Sequence, residues 1–362
     1  MEPREFFIEE RLESYRTNCF CNLGESGFHP MDLGQAIAYA GLGTDELFSI
    51  PLNDSPNRGR SDLRQEIAKL YPGVSPEEVL VTTGTSEALY LLFHLCIHPG
   101  AKVALYWPAF QALYEIPKML GAEIIKVPVN QTLQISDWES VEADFYILNQ
   151  PHNPTGACFS PDDWSDLKTV LKSKNKPVLF DEHYRFLDLN SPLGETGVSP
   201  GDRFFGTGSF TKCFGVTGLR VGWLVANREI IERARSFKDY LTHTVSPVSE
   251  RIALGLLQNR NLFLPAIRSE LKENLEFWNS HLSRLTDIVS FGQVGGGLVG
   301  WAKLKPGISS ETYCDSLFRK TGVFVLPGIN FEEEGHLRIG FGEKSSVFQE
   351  GVLRWVRNTP VL

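Results

Sequence analysis

Between Val79 and Val225 the apolar positions fall in short runs separated by longer segments with helical spacing. Val79-Leu80-Val81-Thr82 leads into a segment from Ser86 to His98 and then Lys102-Val103-Ala104-Leu105. Further runs lie at Glu123-Ile124-Ile125-Lys126-Val127, Phe145-Tyr146-Ile147-Leu148, Pro177-Val178-Leu179-Phe180 and Phe204-Phe205-Gly206-Thr207. Strands apolar on consecutive positions are buried on both faces, and their alternation with helices predicts βαβ units in an α/β fold with a mostly parallel sheet. Polar or glycine-bearing turns follow several of these strands, where open sheets usually bind ligands.

Beyond Val225 the pattern changes. Helices are expected at Arg228–Leu241, Ser249–Gln258 and, as a long connector, from about Pro265 to Leu285. Gly295-Gly296-Gly297-Leu298-Val299-Gly300-Trp301, a helix near Ser310–Thr321, and the runs Val323–Gly328 and His336–Phe341 read as a smaller α+β lobe.

Composition narrows the function classes. The 362 residues suffice for a large core, and 42% hydrophobic with 22% charged residues is ordinary for a compact globular chain. A net charge of -9 argues against a partner of nucleic acid or anionic membrane, and for a small molecule. The six cysteines have no paired CxxC spacing, so no metal site is expected. The opening Met1-Glu2-Pro3-Arg4-Glu5-Phe6-Phe7 has no leader pattern and no long apolar run follows, which leads to the expectation of a cytoplasmic enzyme.

The chemistry concentrates around Lys212, in Gly208-Ser209-Phe210-Thr211-Lys212-Cys213-Phe214-Gly215, with Arg220 eight positions later. A lysine among small residues suits an amine holding an aldehyde cofactor as a Schiff base, and the cofactor implied is pyridoxal phosphate. Thr85 and Ser86 stand where a strand meets a helix, either to cradle a phosphate or simply to cap the helix. Phe110, after the next strand, is placed to stack on a flat ring. Pro151-His152-Asn153-Pro154-Thr155-Gly156 aims Asn153 at a ring hydroxyl, although turn chemistry alone also explains that stretch. Asp181 ends an apolar strand, a costly place for an unpaired carboxylate, and a protonated ring nitrogen is a suitable partner. Tyr184, three residues on, is a candidate for the ring oxygen.

Together these residues resemble the pyridoxal-phosphate enzymes of fold type I, in the class I and II aminotransferase family, from roughly Leu47 to Arg338. The resemblance implies a Schiff base at Lys212, with Ser209 and Arg220 joining Thr85 and Ser86 at the phosphate. It also implies that Arg338 grips the substrate carboxylate. By the same resemblance residues 47–265 form the large cofactor-binding domain and 266–362 the small one. Residues 1–46 belong to the small domain and cover the site, and the enzyme is a homodimer.

Two departures bear on the reaction. Asn22-Leu23-Gly24-Glu25-Ser26-Gly27-Phe28-His29 carries a carboxylate and an imidazole where the family usually has a glycine-proline loop, unless this is a surface loop with an incidental histidine. Ser55 stands where a tyrosine often reaches the neighbouring subunit. Several segments, Gly24–His29 and Pro151–Cys158 among them, are similar to the hydroxyarginine cyclases of this fold, which close rings such as capreomycidine or enduracididine. That likeness implies loss of water from a hydroxylated arginine, with ordinary transamination as the alternative. A guanidinium needs acidic acceptors, and Glu9, Glu10, Glu13, Glu25 and Asp188 are the candidates, the three on the first helix being equally explained as a solvated face. His29 is the candidate for an additional acid or base.

Overall fold

The computed structural model describes residues 4–129, 133–199, 201 and 203–358, so Met1–Pro3 of the opening stretch lie outside it. In chain order the strands are β1 (Cys21–Asn22), β2 (Val79–Thr82), β3 (Lys102–Trp107), β4 (Glu123–Pro128), β5 (Phe145–Asn149), β6 (Val178–Asp181) and β7 (Phe204–Gly208). They continue with β8 (Gly222–Val225), β9 (Ile288–Phe291), β10 (Val299–Leu304), β11 (Val323–Phe324), β12 (Leu326–Pro327) and β13 (His336–Gly340). Seven form one sheet in the order β2-β8-β7-β6-β5-β3-β4. All neighbours are parallel except β8, which runs antiparallel to both β2 and β7. Strand β8 did not stand out in the apolar pattern because it opens at Gly222, inside a glycine-bearing run that reads as a turn.

Successive side chains of a strand point to opposite faces, and β5 shows the consequence. Phe145 and Ile147 enter a core shared with the helix Thr85–Cys96, while Tyr146 and Leu148 enter one shared with the helix Pro161–Ser173. With both faces covered, chemistry is confined to the strand ends. The register sets Asn149, Asp181 and Thr207 side by side at the carboxyl ends of β5, β6 and β7.

A second, antiparallel sheet has the order β12-β13-β10-β9, and Arg338 on β13 lies opposite both Trp301 and Leu326. The amino-terminal segment joins it: β1 pairs with β11, and Gly340 N–H donates to Leu23 O at 2.7 Å. The same segment then crosses to the lysine-bearing loop, where Phe28 N–H donates to Lys212 O (2.8 Å) and Met31 N–H to Gly215 O (2.9 Å). Gly215 has φ +67, and a Cβ there would stand 2.2 Å from His29 O, so both conformation and space require glycine.

Where β8 meets the start of the helix Thr85–Cys96, a Cβ on Gly222 would lie 2.5 Å from Gly84 C and Thr85 N, both backbone atoms that cannot turn aside. Gly222→Ala should therefore destabilise the fold by about 1–3 kcal/mol. Gly218→Ala, whose Cβ meets nothing within 4 Å, should stay within about 0.5 kcal/mol. Denaturant midpoints of the two variants test this, and equal midpoints would contradict the close approach.

Candidate active site

The carboxyl ends of β5, β6 and β7 carry a polar row held in register. Asp181 is 1% exposed; its Oδ1 accepts from Thr207 Oγ1 at 3.0 Å and its Oδ2 from Asn149 Nδ2 at 3.3 Å. His183 Nδ1 lies 3.2 Å from the same Oδ2, while its Nε2 has no partner. Sequence reading missed His183, although its position two residues after Asp181 on a buried strand end was the available signal.

Asn153 is fixed through its backbone, its N–H donating to Asn149 Oδ1 at 2.7 Å. In the same turn His152 Nδ1 lies 2.7 Å from Thr155 Oγ1, and burial pulls the imidazole down to about 3, so it stays neutral. Asn153 Oδ1 accepts from Arg338 Nη1 at 3.2 Å and its Nδ2 is buried without a partner. That orphaned donor is expensive unless a ligand meets it.

At the opposite side, Gly84 is the N-cap of the helix Thr85–Cys96, and no side chain caps the first turn. Thr85 Oγ1 donates instead to Gly208 O at 3.4 Å, so capping is not what these residues do. The Arg220 guanidinium lies against Gly84, where an added Cβ would come within 2.6 Å of Nη2. Ser209 Oγ donates to Val221 O at 2.8 Å, which ties the lysine loop to this corner. An uncapped helix start beside an arginine suits an anionic phosphate.

Lys212 opens on two adjoining cavities, of about 150 Å³ and about 900 Å³. The smaller is lined by Thr85, Ser86, Phe110, Asn153, Asp181 and Arg220, among others, and so collects the expected cofactor residues. Lys212 Nζ donates to Ser26 Oγ at 2.9 Å and stands 5.5 Å from the Phe110 ring centroid. Burial lowers the pKa of this amine below its ordinary range, and Arg338 adds to the effect against the opposing pull of Glu9, Glu25 and Asp181. Tyr184 is the exception to the grouping: it is fully buried, and its hydroxyl donates to Ser26 O at 2.6 Å.

The larger cavity contains Glu9, Arg16, Glu25, His29 and Arg338. Arg338 is 1% exposed, gives Nη2 to Gly24 O at 2.6 Å, and has no partner for Nε. Burial pulls its guanidinium below the ordinary value, while Tyr184, Glu25 and Glu9 hold it up. His29 Nε2 lies 3.1 Å from Glu270 Oε2, a residue with no signal in the sequence because it is one of several glutamates on the helix Leu264–His281.

Most of the candidate acids, and Ser55, meet neighbours within the chain. Glu9, Glu13 and Glu25 are not free acceptors: Arg16 donates Nη2 to Glu9 Oε2 (3.4 Å), Nη1 to Glu13 Oε1 (2.6 Å) and Nε to Glu25 Oε1 (2.8 Å). Asp188 turns to its own loop, accepting from the backbone N–H groups of Asn190 and Ser191, and Glu10 is exposed on the helix. Ser55 is buried. Among the described residues no group of three or more His, Cys, Asp or Glu could hold a metal, and no helix is long and apolar enough to cross a membrane.

The lowered lysine pKa has a measurable consequence in cofactor-free protein. Unfolded chains keep the Lys212 proton up to about pH 10.4, whereas the folded protein releases it earlier, so wild-type stability from this group rises with pH. Lys212→Met should therefore be the more stable protein near about pH 6, with the gap closing towards about pH 10. Thermal melts across that range test it, and a gap independent of pH would overturn the desolvated-amine geometry.

An orphaned amide, a buried carboxylate and an uncapped helix start with its arginine surround Lys212, and these features fit pyridoxal phosphate. Residues 52–352 match the family described as Aminotransferase class I and II. The chain is 29% identical to capreomycidine synthase of Streptomyces vinaceus over 94% of its own length and 88% of that protein's. It is 28% identical to aspartate aminotransferase of Sulfurisphaera tokodaii over 82% and 79% of the two lengths. The crystal structure of the PLP-dependent cyclase OrfR superposes with a TM-score of 0.92 at 23% identity, covering 99% of this chain and 98% of that one, which shows a shared fold. With most of its length matched and a site fitted to the cofactor, the chain belongs to the class I and II aminotransferase family of pyridoxal-phosphate enzymes.

Proposed function

We propose that the protein removes water from a hydroxylated L-arginine and closes a guanidine-containing ring, as in capreomycidine or enduracididine. The observation that carries this reading is the polarity of the larger cavity. It is lined by a buried arginine, Arg338, and by the more exposed carboxylates of Glu9 and Glu25, which already hold the guanidinium of Arg16. The likeness to capreomycidine synthase supports the same reading.

Bound pyridoxal phosphate supplies an electron sink beside the substrate Cα. In this proposal Lys212 holds it, Ser86, Thr85, Ser209 and Arg220 bind its phosphate, and Phe110 covers its ring. Asp181 pairs with its ring nitrogen and Asn153 donates Nδ2 to its ring oxygen. Tyr184 acts at one remove, its hydroxyl holding Ser26 O while Ser26 Oγ accepts from Lys212.

Arg338 takes the substrate carboxylate through its unpaired Nε and an Nη. A Lys212 amine with a depressed pKa is suited to take the Cα proton and later return one. His29, held by Glu270, faces the cavity as the additional acid or base for the departing hydroxyl. In the net reaction one C–O bond breaks and one C–N bond forms. The guanidine loses one N–H proton, which leaves with the hydroxide as water.

The same proposal divides the chain at about residues 46 and 265 and takes it as a cytoplasmic homodimer. Phe48, Leu52 and Tyr240, each more than four-fifths exposed, supply apolar surface for the partner.

Borohydride reduction of the loaded protein should fix the cofactor on the peptide containing Lys212; a label elsewhere contradicts the lysine assignment. Incubation with 3-hydroxy- and 4-hydroxy-L-arginine, without a keto acid, should give a product lighter by one water with its amino nitrogen retained. Conversion to an oxo acid only when pyruvate or 2-oxoglutarate is added would replace the cyclase reading with an aminotransferase.

A further inference from the structure

The guanidinium at the cavity mouth belongs to the chain itself. Arg16 follows directly on the helix Phe7–Tyr15, and each of its three side-chain nitrogens donates to a different carboxylate. Glu9, Arg16 and Glu25 face the same cavity as Lys212 and Arg338. In the same cavity Arg338 Nε is unpartnered on a side chain that is 1% exposed. A buried cationic donor of this kind calls for a ligand with an anionic end, which leaves the carboxylates for that ligand's other end.

Arg16 has two possible consequences for selectivity. Fixed in place, it adds a second cation to the cavity and favours an amino acid with an acidic side chain. Displaced, it leaves Glu9 and Glu25 to a cationic one.

The geometry favours displacement. Three carboxylates, two of them lining the cavity, meet one guanidinium, so the group is net negative, and Arg16 has each nitrogen committed to a carboxylate before any anion arrives. Its side chain is 40% exposed, so the ion pairs are individually weak, and it can swing into water from beyond the helix end without unpacking a core. Only a cation can replace it without leaving the carboxylates to repel one another, and a planar guanidinium matches the fork that Arg16 now presents.

We propose that Arg16 is an exchangeable stand-in for the substrate's guanidinium. Resting on the guanidino-substrate reading above, this makes Arg16 a determinant of specificity. It keeps Glu9 and Glu25 paired in the free enzyme and yields them only to a side chain of its own charge. The apparent affinity for the substrate is then lowered by the fraction of molecules in which Arg16 occupies the mouth.

Titration calorimetry of the pyridoxal-phosphate-loaded wild type, R16A and R16Q with L-arginine and with L-aspartate tests the exchange. Both variants should bind L-arginine about fivefold more tightly than wild type. E25Q should bind it more weakly, and L-aspartate should bind poorly throughout. Melting curves show whether each variant is folded, and R16Q keeps a polar side chain if R16A is not. If wild type binds L-arginine and neither variant binds it more tightly, the exchange is wrong and the guanidino-substrate reading stands. If wild type binds L-aspartate but not L-arginine, and the variants lose L-aspartate, Arg16 is a fixed recognition cation and both readings fall.

Discussion

One short crossing holds the two halves of the site together. Between Leu23 and Met31 the chain leaves β13, where Gly340 N–H donates to Leu23 O, and reaches the lysine loop, where Phe28 N–H donates to Lys212 O. His29 N–H adds a bond to Gly342 O at 2.6 Å. These are backbone bonds, so they fix position whatever the side chains do. Glu25, Ser26 and His29 are thereby placed over Lys212, and Gly24 O is brought within 2.6 Å of Arg338 Nη2. Cofactor chemistry from one sheet and substrate recognition from the other are joined by this segment as well as by the direct bond from Arg338 Nη1 to Asn153 Oδ1.

The electrostatics follow from the same closeness. Lys212 and Arg338 are two basic groups removed from water near one another, and each depresses its own charged form chiefly through burial. Glu9 and Glu25 oppose both shifts. The acidic residues at the mouth therefore act on the chemistry at a distance as well as on whatever they touch. They hold both Arg338 and Lys212 nearer to their charged forms than burial alone would.

Strand ends were the most legible part of the sequence. Asp181 ends β6, and Asn153 and Phe110 lie in the turns after β5 and β3, so local pattern was enough to put them at one edge of the sheet. The βαβ alternation also gave the seven-stranded sheet, apart from the glycine-led β8. Pairings between distant segments were not legible. Tyr184 meets Ser26 across 158 residues and His29 meets Glu270 across 241, and no spacing rule connects such positions. Glu9 and Glu25 were recognised as acids suited to a guanidinium, but that Arg16 already holds them depends on how the first helix docks.

That first helix is seated by a few apolar side chains and by the bond from Tyr15 Oη to Asp315 Oδ1 at 2.9 Å. Ile8 and Leu12 are its only buried residues, and they pack with Phe324, Leu326 and Phe331 in a small cluster separate from the cores of the large sheet. A wall with its own few contacts opens at a lower free energy than the protein unfolds, because the large cores do not have to give way with it. Ile8 and Leu12 also line the cavity that holds Lys212 and Arg338, so the side chains that seat the helix form part of the wall of the site. Shortening Leu12 would loosen the helix and widen the cavity at one and the same position.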